Sequence, residues 1–474
     1  MKTTVAVLNK KGDDATAAVI SVLKALNTSA QASFEIASSS AVKAERDADK
    51  LGSLNSPIVL GYAATKSEPS NEHQQVRLEN ATLVFDGRIY SPAGIQVAEL
   101  TAKKTLRGET LLKDVEGAFS FFIAEPQRIV AGRDPVGVQP FYYGENERVA
   151  ALASSRTALW KLGIEKTSSF PPGNLGFVTS EGFKFKPVKT LAYSETEPIT
   201  MQAAAETLQK LLEQSIRKRV AGTKRVAVAF SGGLDSSVVA FLAKKCGADV
   251  TLIHVSLENR PETEEAMRAS DALKLPLQVY LFKETDVEKV IREVVELIEE
   301  PDPVKASIGV PFYWTAMEAS GAGFRVLLAG QGADELFGGY QRYVNGYLAH
   351  GEEDARRAMF EDVVRLHESN IERDVKICGF HDVELRLPFA SFQIAEFALK
   401  LPLELKIEQK PESLRKLVLR KVATDIGLPK SIAEKPKKAV QYATGVSNVL
   451  KKLGRKQNRT VRDYVNALFN AQRE

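Results

Sequence analysis

Hydrophobic positions change their rhythm partway along the chain. Up to about residue 190, short apolar runs alternate with turn residues: SPIVLGYA (56–63), ATLVFDGRIY (81–90), GAFSFFIAE (117–125), QRIVAGRDP (127–135) and RVAALASS (148–155). Runs of this length set between Gly, Asp and Pro predict β-strands. One helix is expected over about residues 15–25. The first part therefore reads as an α+β domain dominated by antiparallel sheet. The stretch KTLAYSETEPIT (189–200) has no period and reads as a linker, so the domains are expected at 1–190 and 200–474. A helix follows in MQAAAETLQKLLEQSIRKRV (201–220), where apolar residues recur at helical spacing. The rhythm then changes. RVAVAF (225–230), DVTLIHVS (249–256), LQVYLF (277–282) and FRVLLAG (324–330) are nearly continuous apolar runs, as in strands buried on both faces. Helical patterns at 236–247, 262–274 and 284–300 lie between them. Strands alternating with helices predict an α/β, doubly wound parallel sheet. From about Tyr340 the chain reads as mostly helical.

Composition narrows the function classes. A chain of 474 residues with 44% hydrophobic and 26% charged residues can bury a substantial core without metal or disulfide support. The two cysteines, Cys246 and Cys378, stand in KKCGAD and KICGFH, neither with CxxC spacing, so structural zinc and a disulfide framework are not expected. No run of about 18 apolar residues occurs, and the apolar run at the start is too short for a signal-peptide core. A cytoplasmic protein with no membrane partner is expected. A net charge of +4 does not call for a nucleic-acid partner, and the basic run NVLKKLGRKQNR (448–459) reads as an exposed helix. The five histidines have no metal-ligand spacing, and His254, inside an apolar strand run, reads as a core residue.

The densest chemistry lies in AFSGGLDSS (229–237), where a buried strand gives way to a helix. At such a junction the backbone N–H groups of Gly232, Gly233 and the helix start converge on an anion. The hydroxyls of Ser231, Ser236 and Ser237 add donors, and the carboxylate of Asp235 can hold a magnesium ion beside phosphates. The spacing GxxxxGK[ST] is absent, so this is not a Walker loop. A second loop, LLAGQGADELFGGYQRY (327–343), also begins where a strand ends. Ligands of a doubly wound sheet sit at the carboxyl ends of strands, so Asp334 and Glu335 are expected in the same crevice as Asp235.

SGGLDSS resembles the pyrophosphate loop of the ATP pyrophosphatases, which adenylate a substrate. The succession SGGLDSS, EEPDPVKASIGVPFY (299–313), GQGADELFGGY, VELRLPF (383–389) and EKPKKAVQ (434–441) resembles the asparagine synthetase family, closest to its archaeal-type members. FDGRIY (85–90), AGRDPVGVQPFYYG (131–144), ALASS (151–155) and FPPGNL (170–175) resemble its class II glutamine amidotransferase domain. The resemblance spans nearly the whole chain. It implies an Ntn-hydrolase-like antiparallel sandwich followed by an ATP-pyrophosphatase domain with a helical carboxy-terminal part.

Carried over by position, the resemblance implies that Ser231, Gly232, Gly233, Leu234, Asp235, Ser236 and Ser237 bind pyrophosphate and magnesium, with Asp334 as the second magnesium carboxylate. It places Val255 and Ser256 at the adenosine, and Gly330 and Gln331 near the α-phosphate and acyl group. Glu384 and Arg386 fall near the acid substrate. Lys437 is the catalytic lysine, with Lys435 and Lys438 as rivals for that register. The substrates implied are ATP with Mg2+, an acid such as aspartate, and ammonia, made into an amide through an acyl-adenylate. A homodimer is compatible with the family.

The amidotransferase half departs from its pattern. The family attacks glutamine with an amino-terminal cysteine, where this chain has Lys2. Its asparagine-glycine oxyanion pair is Asp86-Gly87 here, and a carboxylate repels an oxyanion. The arginine-glycine-proline-aspartate stretch that clamps glutamine has no counterpart between Ser38 and Pro57. Loss of glutaminase is therefore expected, with ammonia taken up directly or from a separate glutaminase and RDPVGVQPFYYG kept for the fold. The alternatives are a relative acting on another acid, as β-lactam synthetases do, a non-catalytic ATP-binding paralogue, and a tRNA-modifying adenylating enzyme. The β-lactam synthetases carry a tyrosine where Gln331 stands, and Ala390-Ser391 replaces the usual leucine-aspartate of asparagine synthetases.

Overall fold

The computed structural model describes residues 2–27, 29, 31–65, 73–92, 108–410, 414–435 and 445–471. The chain divides into two compact units, Met1–Thr190 and Leu191–Glu474. Among the described residues no helix is long and apolar enough to cross a membrane.

The strands of the first unit are β1 (Thr3–Asn9), β2 (Ala32–Ala37), β3 (Val42–Glu45), β4 (Ile58–Thr65), β5 (His73–Arg77), β6 (Thr82–Ser91), β7 (Glu116–Ala124), β8 (Ile129–Arg133), β9 (Tyr142–Glu145), β10 (Val149–Ala153), β11 (Thr167–Ser169), β12 (Asn174–Thr179) and β13 (Gly182–Pro187). They form two antiparallel sheets, ordered β11-β9-β10-β1-β4-β2-β3 and β13-β12-β8-β7-β6-β5. The period of two assigns the faces. Ala6 and Leu8 of β1 meet Val84, Phe122 and Ile129 of the other sheet in one core. Val5 and Val7, a step out of phase, pack outward against Val19, Val22 and Leu23 of the helix Thr16–Leu26. On the far side Phe119 and Phe121 cover Leu111 and Leu112 of the helix Gly108–Asp114. The unit is thus two sheets face to face with helices outside them. The helix expected over 15–25 lies at Thr16–Leu26.

In the second unit β14 (Arg225–Ala229), β15 (Asp249–Leu257), β16 (Leu277–Phe282), β17 (Val326–Leu328) and β18 (Glu384–Arg386) make a parallel sheet ordered β16-β15-β14-β17-β18. Thr200 caps the helix Met201–Val220 by accepting from the Ala203 amide at 3.2 Å. Its stripe of Leu208, Leu212 and Ile216 joins Val226 and Val228 of β14 in the main core. The helix Pro303–Gly321 starts with proline at its first position and Asp302 capping the amides of Val304 and Lys305. Two details differ from the sequence pattern. FRVLLAG yields only a three-residue strand. VELRLPF, in a stretch expected to be helical, supplies β18, also three residues long. Segments that short show neither a strand nor a helix period.

Leu208 is fully buried. Leu208→Ala should lower the stability of the second unit by about 2–5 kcal/mol, the usual loss for such a truncation. The readout is a reduced urea midpoint by Trp314 fluorescence in a Trp160→Phe background.

Candidate active site

The central strand β14 ends at Ala229 and the helix Leu234–Lys245 begins five residues on. The turn between them runs through Gly232 at φ +68°, where a Cβ would also sit 2.8 Å from the Ala266 Cα. Only glycine fits both demands. Gly233 caps the helix with no side-chain bond, so amides of the first turn stay open toward an anion. The Gly233 amide lies 3.3 Å from Ser231 Oγ, and the hydroxyls of Ser231 and Ser236 are 3.3 Å apart.

This turn forms one wall of a cavity of about 270 Å3. Of the residues expected at the nucleotide, Ser231, Gly233, Leu234, Asp235 and Ser236 line it, as do Val255 and Ser256 from the end of β15. Gly330, Gln331, Asp334 and Glu335 enter from the loop after β17. Gly232 and Ser237 do not line it; Gly232 shapes the turn, and Ser237 is buried beneath. Lys437 and Lys438 lie outside the described residues. Lys435 lines the cavity, with Nζ 2.9 Å from Glu265 and 3.2 Å from the Gly232 carbonyl.

Glu384 and Arg386 are not brought to the cavity. Arg386 is buried, binds both oxygens of Glu384 at 2.7 and 2.6 Å, and donates to the Arg219 carbonyl and the Thr223 hydroxyl. The bond to Arg219 ties β18 to the helix Met201–Val220. The structure instead brings Arg373 and Asn370 to the cavity. They follow from a turn of π-helix at His367–Ile371, an irregularity common at functional sites. Arg373 pairs with Asp374 at 2.7 Å, and Gln331 Nε2 donates to the same carboxylate at 2.9 Å. Burial pushes the Asp374 carboxyl up and Arg373 opposes it. Glu335 is likewise pushed up by burial and accepts from Tyr340 (2.6 Å) and Asn370 (2.8 Å).

Sequence reasoning missed Lys416. It is 3% exposed, and its Nζ lies 2.7 and 2.6 Å from the two oxygens of Asp235 and 2.7 Å from Asp334 Oδ1. Burial pushes its ammonium down while Asp235 holds it charged. It sits at φ +62°, ψ +42°, just ahead of the helix Leu417–Asp425, a left-handed backbone that is uncommon for L residues. Arg415 and Arg420 line the cavity beside it. The signal available in the sequence was only RKLVLRK, a basic run like any solvated face. Part of the wall is apolar: Ile253, Ile308, Pro311 and Phe312. His254 also lines the cavity, its Nδ1 donating to the Phe230 carbonyl at 2.9 Å. Burial holds the imidazole pKa below its usual value, so it is neutral at pH 7 with Nε2 as an acceptor.

Among the described residues no group of three or more His, Cys, Asp or Glu side chains is arranged around a metal position. Asp235 and Asp334 nevertheless converge on one cation, so the pair fits a divalent ion whose remaining ligands are phosphate oxygens and water.

In the first unit the buried Asp86 carboxylate lies 2.8 Å from the Lys2 ammonium and accepts from Gln139 Nε2 at 2.8 Å. Asp134 accepts the amides of Val136, Val138 and Gln139, and Arg133 donates to Ser169 and to the carbonyls of Phe170 and Gly137. These bonds hold the RDPVGVQPF segment in shape.

The sequence model of the asparagine synthase family matches residues 207–351 and 344–473, and that of a glutamine amidotransferase domain matches 64–161. A Methanocaldococcus jannaschii protein provisionally named as a glutamine-hydrolysing asparagine synthetase is 32% identical over 395 residues, 73% of each chain. A Triphysaria versicolor glutamine-hydrolysing asparagine synthetase is 27% identical over 357 residues, 72% of this chain and 59% of its own length. The chain thus spans less than two thirds of that plant relative. A solved glutamine phosphoribosylpyrophosphate amidotransferase of B. subtilis aligns with 58% of this chain and 65% of its own at 14% identity and a TM-score of 0.34, too slight a likeness to bear on function.

A Cβ at Gly339 would overlap both Asp334 Oδ1 and Lys416 Cε. Gly339→Ala should therefore split the Asp235–Lys416–Asp334 group. The expected result is loss of ATP binding by at least about tenfold, the scale of a broken buried charge contact, read by isothermal titration with circular dichroism unchanged.

Proposed function

The chain belongs to the asparagine synthase family, and from that membership we propose that it joins a small carboxylic acid to ammonia through an acyl-adenylate, releasing AMP and pyrophosphate. The observation that carries the proposal is the meeting of Asp235 and Asp334, from the ends of two neighbouring parallel strands, beside the SGGLDSS turn.

Each step asks something that these residues are suited to give. An acid carboxylate attacking the α-phosphorus brings two anions together, so cations must surround them. Lys416, Arg415, Arg420 and Lys435 supply fixed positive charge around the cavity. Asp235 and Asp334 would hold magnesium, which supplies Lewis-acid stabilisation of the phosphate charge. The open amides of the helix's first turn and the hydroxyls of Ser231 and Ser236 retain the departing pyrophosphate. The apolar wall of Ile253, Ile308, Pro311 and Phe312 receives the flat base, and its low polarity keeps water from the activated acyl group. Ammonia then attacks the acyl carbonyl, the C–N bond forms, the C–O bond to AMP breaks, and a proton leaves the nitrogen. Lys437, in the adjoining segment, is the family's candidate for neutralising charge during adenylation.

Aspartate is the first candidate acid and ammonia the nitrogen donor. The Lys2–Asp86 pair supports the absence of glutaminase. It puts a carboxylate and an ammonium where the family uses an oxyanion donor and a thiolate. A second reading, a different acid, is favoured by two observations. Glu384 and Arg386 bind each other outside the cavity, and Ser391 is buried where the family carries aspartate.

With ATP, magnesium and aspartate, asparagine and pyrophosphate should form with ammonium and not with glutamine. Product from glutamine would contradict the lost glutaminase. No aspartate-dependent pyrophosphate with either nitrogen source would leave the other-acid reading.

A further inference from the structure

The cation between the two carboxylates belongs to the protein itself. Lys416 Nζ lies within 2.7 Å of three carboxylate oxygens, two on Asp235 and one on Asp334. A divalent ion on the same oxygens, at the about 2.0–2.1 Å that magnesium requires, would approach that ammonium to about 3 Å in a buried setting, where like charges repel strongly. The two cations cannot share the place. We propose that Lys416 is a built-in counter-ion that excludes free metal from the resting site and yields it only to metal arriving on a nucleotide. This rests on reading Asp235 and Asp334 as metal carboxylates.

The logic is electrostatic. Free metal would have to expel a buried ammonium from the three carboxylate oxygens that hold it and brings no acceptor in exchange. A metal–nucleotide complex brings phosphate oxygens with it, and these can accept the displaced ammonium. The surroundings suit such an exchange. Gly339 leaves room beside the lysine stem at Cε, and the left-handed backbone at Lys416 aims the side chain between the carboxylates. Arg415 and Arg420 make the cavity attractive to polyphosphate even while the carboxylates are occupied. Lys416 is on this view a positioning residue for the order in which the ligands enter.

The test is Mn2+ binding by electron paramagnetic resonance on the full chain, independent of turnover. Nucleotide-free wild type should show no Asp235-dependent Mn2+ site. Lys416→Met, which keeps the stem and removes the charge, should gain one at least about tenfold tighter, and Lys416→Met/Asp235→Asn should lose it again. A Lys416→Met protein that binds Mn2+ no better than wild type overturns the proposal. If that variant does not fold, the wild-type titration decides alone: tight Mn2+ binding without nucleotide that Asp235→Asn abolishes overturns it. Binding that appears only with an ATP analogue carrying a methylene between the α and β phosphorus supports it. If Mn2+ binding with that analogue is indifferent to Asp235→Asn and Asp334→Asn, the metal assignment itself falls and the exclusion with it.

Discussion

Three charged groups, two negative and one positive, are packed together in the cavity wall; Lys416 is buried and the two carboxylates partly so, which makes each dependent on the others. A buried ammonium without acceptors, or a buried carboxylate without a cation, costs several kcal/mol in lost hydration. That cost fixes the surrounding architecture. Asp235 must leave β14 on the first turn of a helix, and Asp334 must leave the loop after β17. The two strands must be neighbours and parallel so that both ends open on one side. Lys416 must come from 181 residues beyond Asp235, held in an uncommon backbone conformation. Gly339 must have no side chain. The parallel sheet is the frame that satisfies these conditions together.

Much of the frame was legible in the sequence because it is made of long, regular segments. β14 and β15 are continuous apolar runs, and the helices between the strands have a clear period. The nucleotide turn was legible because a glycine pair at a strand–helix junction has few other uses. Three kinds of feature escaped. β18 is too short to show a rhythm. Lys416 acts through distance contacts, and its local sequence is an ordinary basic run. Arg373 and Asn370 depend on a π-turn, which adds a residue to the helical step and so rotates side chains off the face that a period of 3.6 assigns. Arg386 shows the converse. Its motif pointed to a ligand, but a buried guanidinium needs acceptors for its donors, and the protein supplies four at Glu384, Arg219 and Thr223.

Lys2 and Asp86 show the same electrostatics applied to a different end. Gln139 completes their contact from a segment otherwise occupied in shaping its own loop. Lys2 and Asp86 are therefore one physical unit, an ion pair, rather than two independent residues.

That pairing makes the two positions unequal to substitution. A neutral residue in place of Lys2 would leave the Asp86 carboxylate, almost wholly enclosed, with the Gln139 amide but without its cation, at a cost to the fold. Asparagine in place of Asp86 removes the enclosed charge itself and leaves a lysine whose side chain is one-fifth exposed and can turn to water. The two substitutions are therefore coupled through their order, one tolerated alone and the other not, so the interior of the unit constrains which neighbouring sequences the chain can reach.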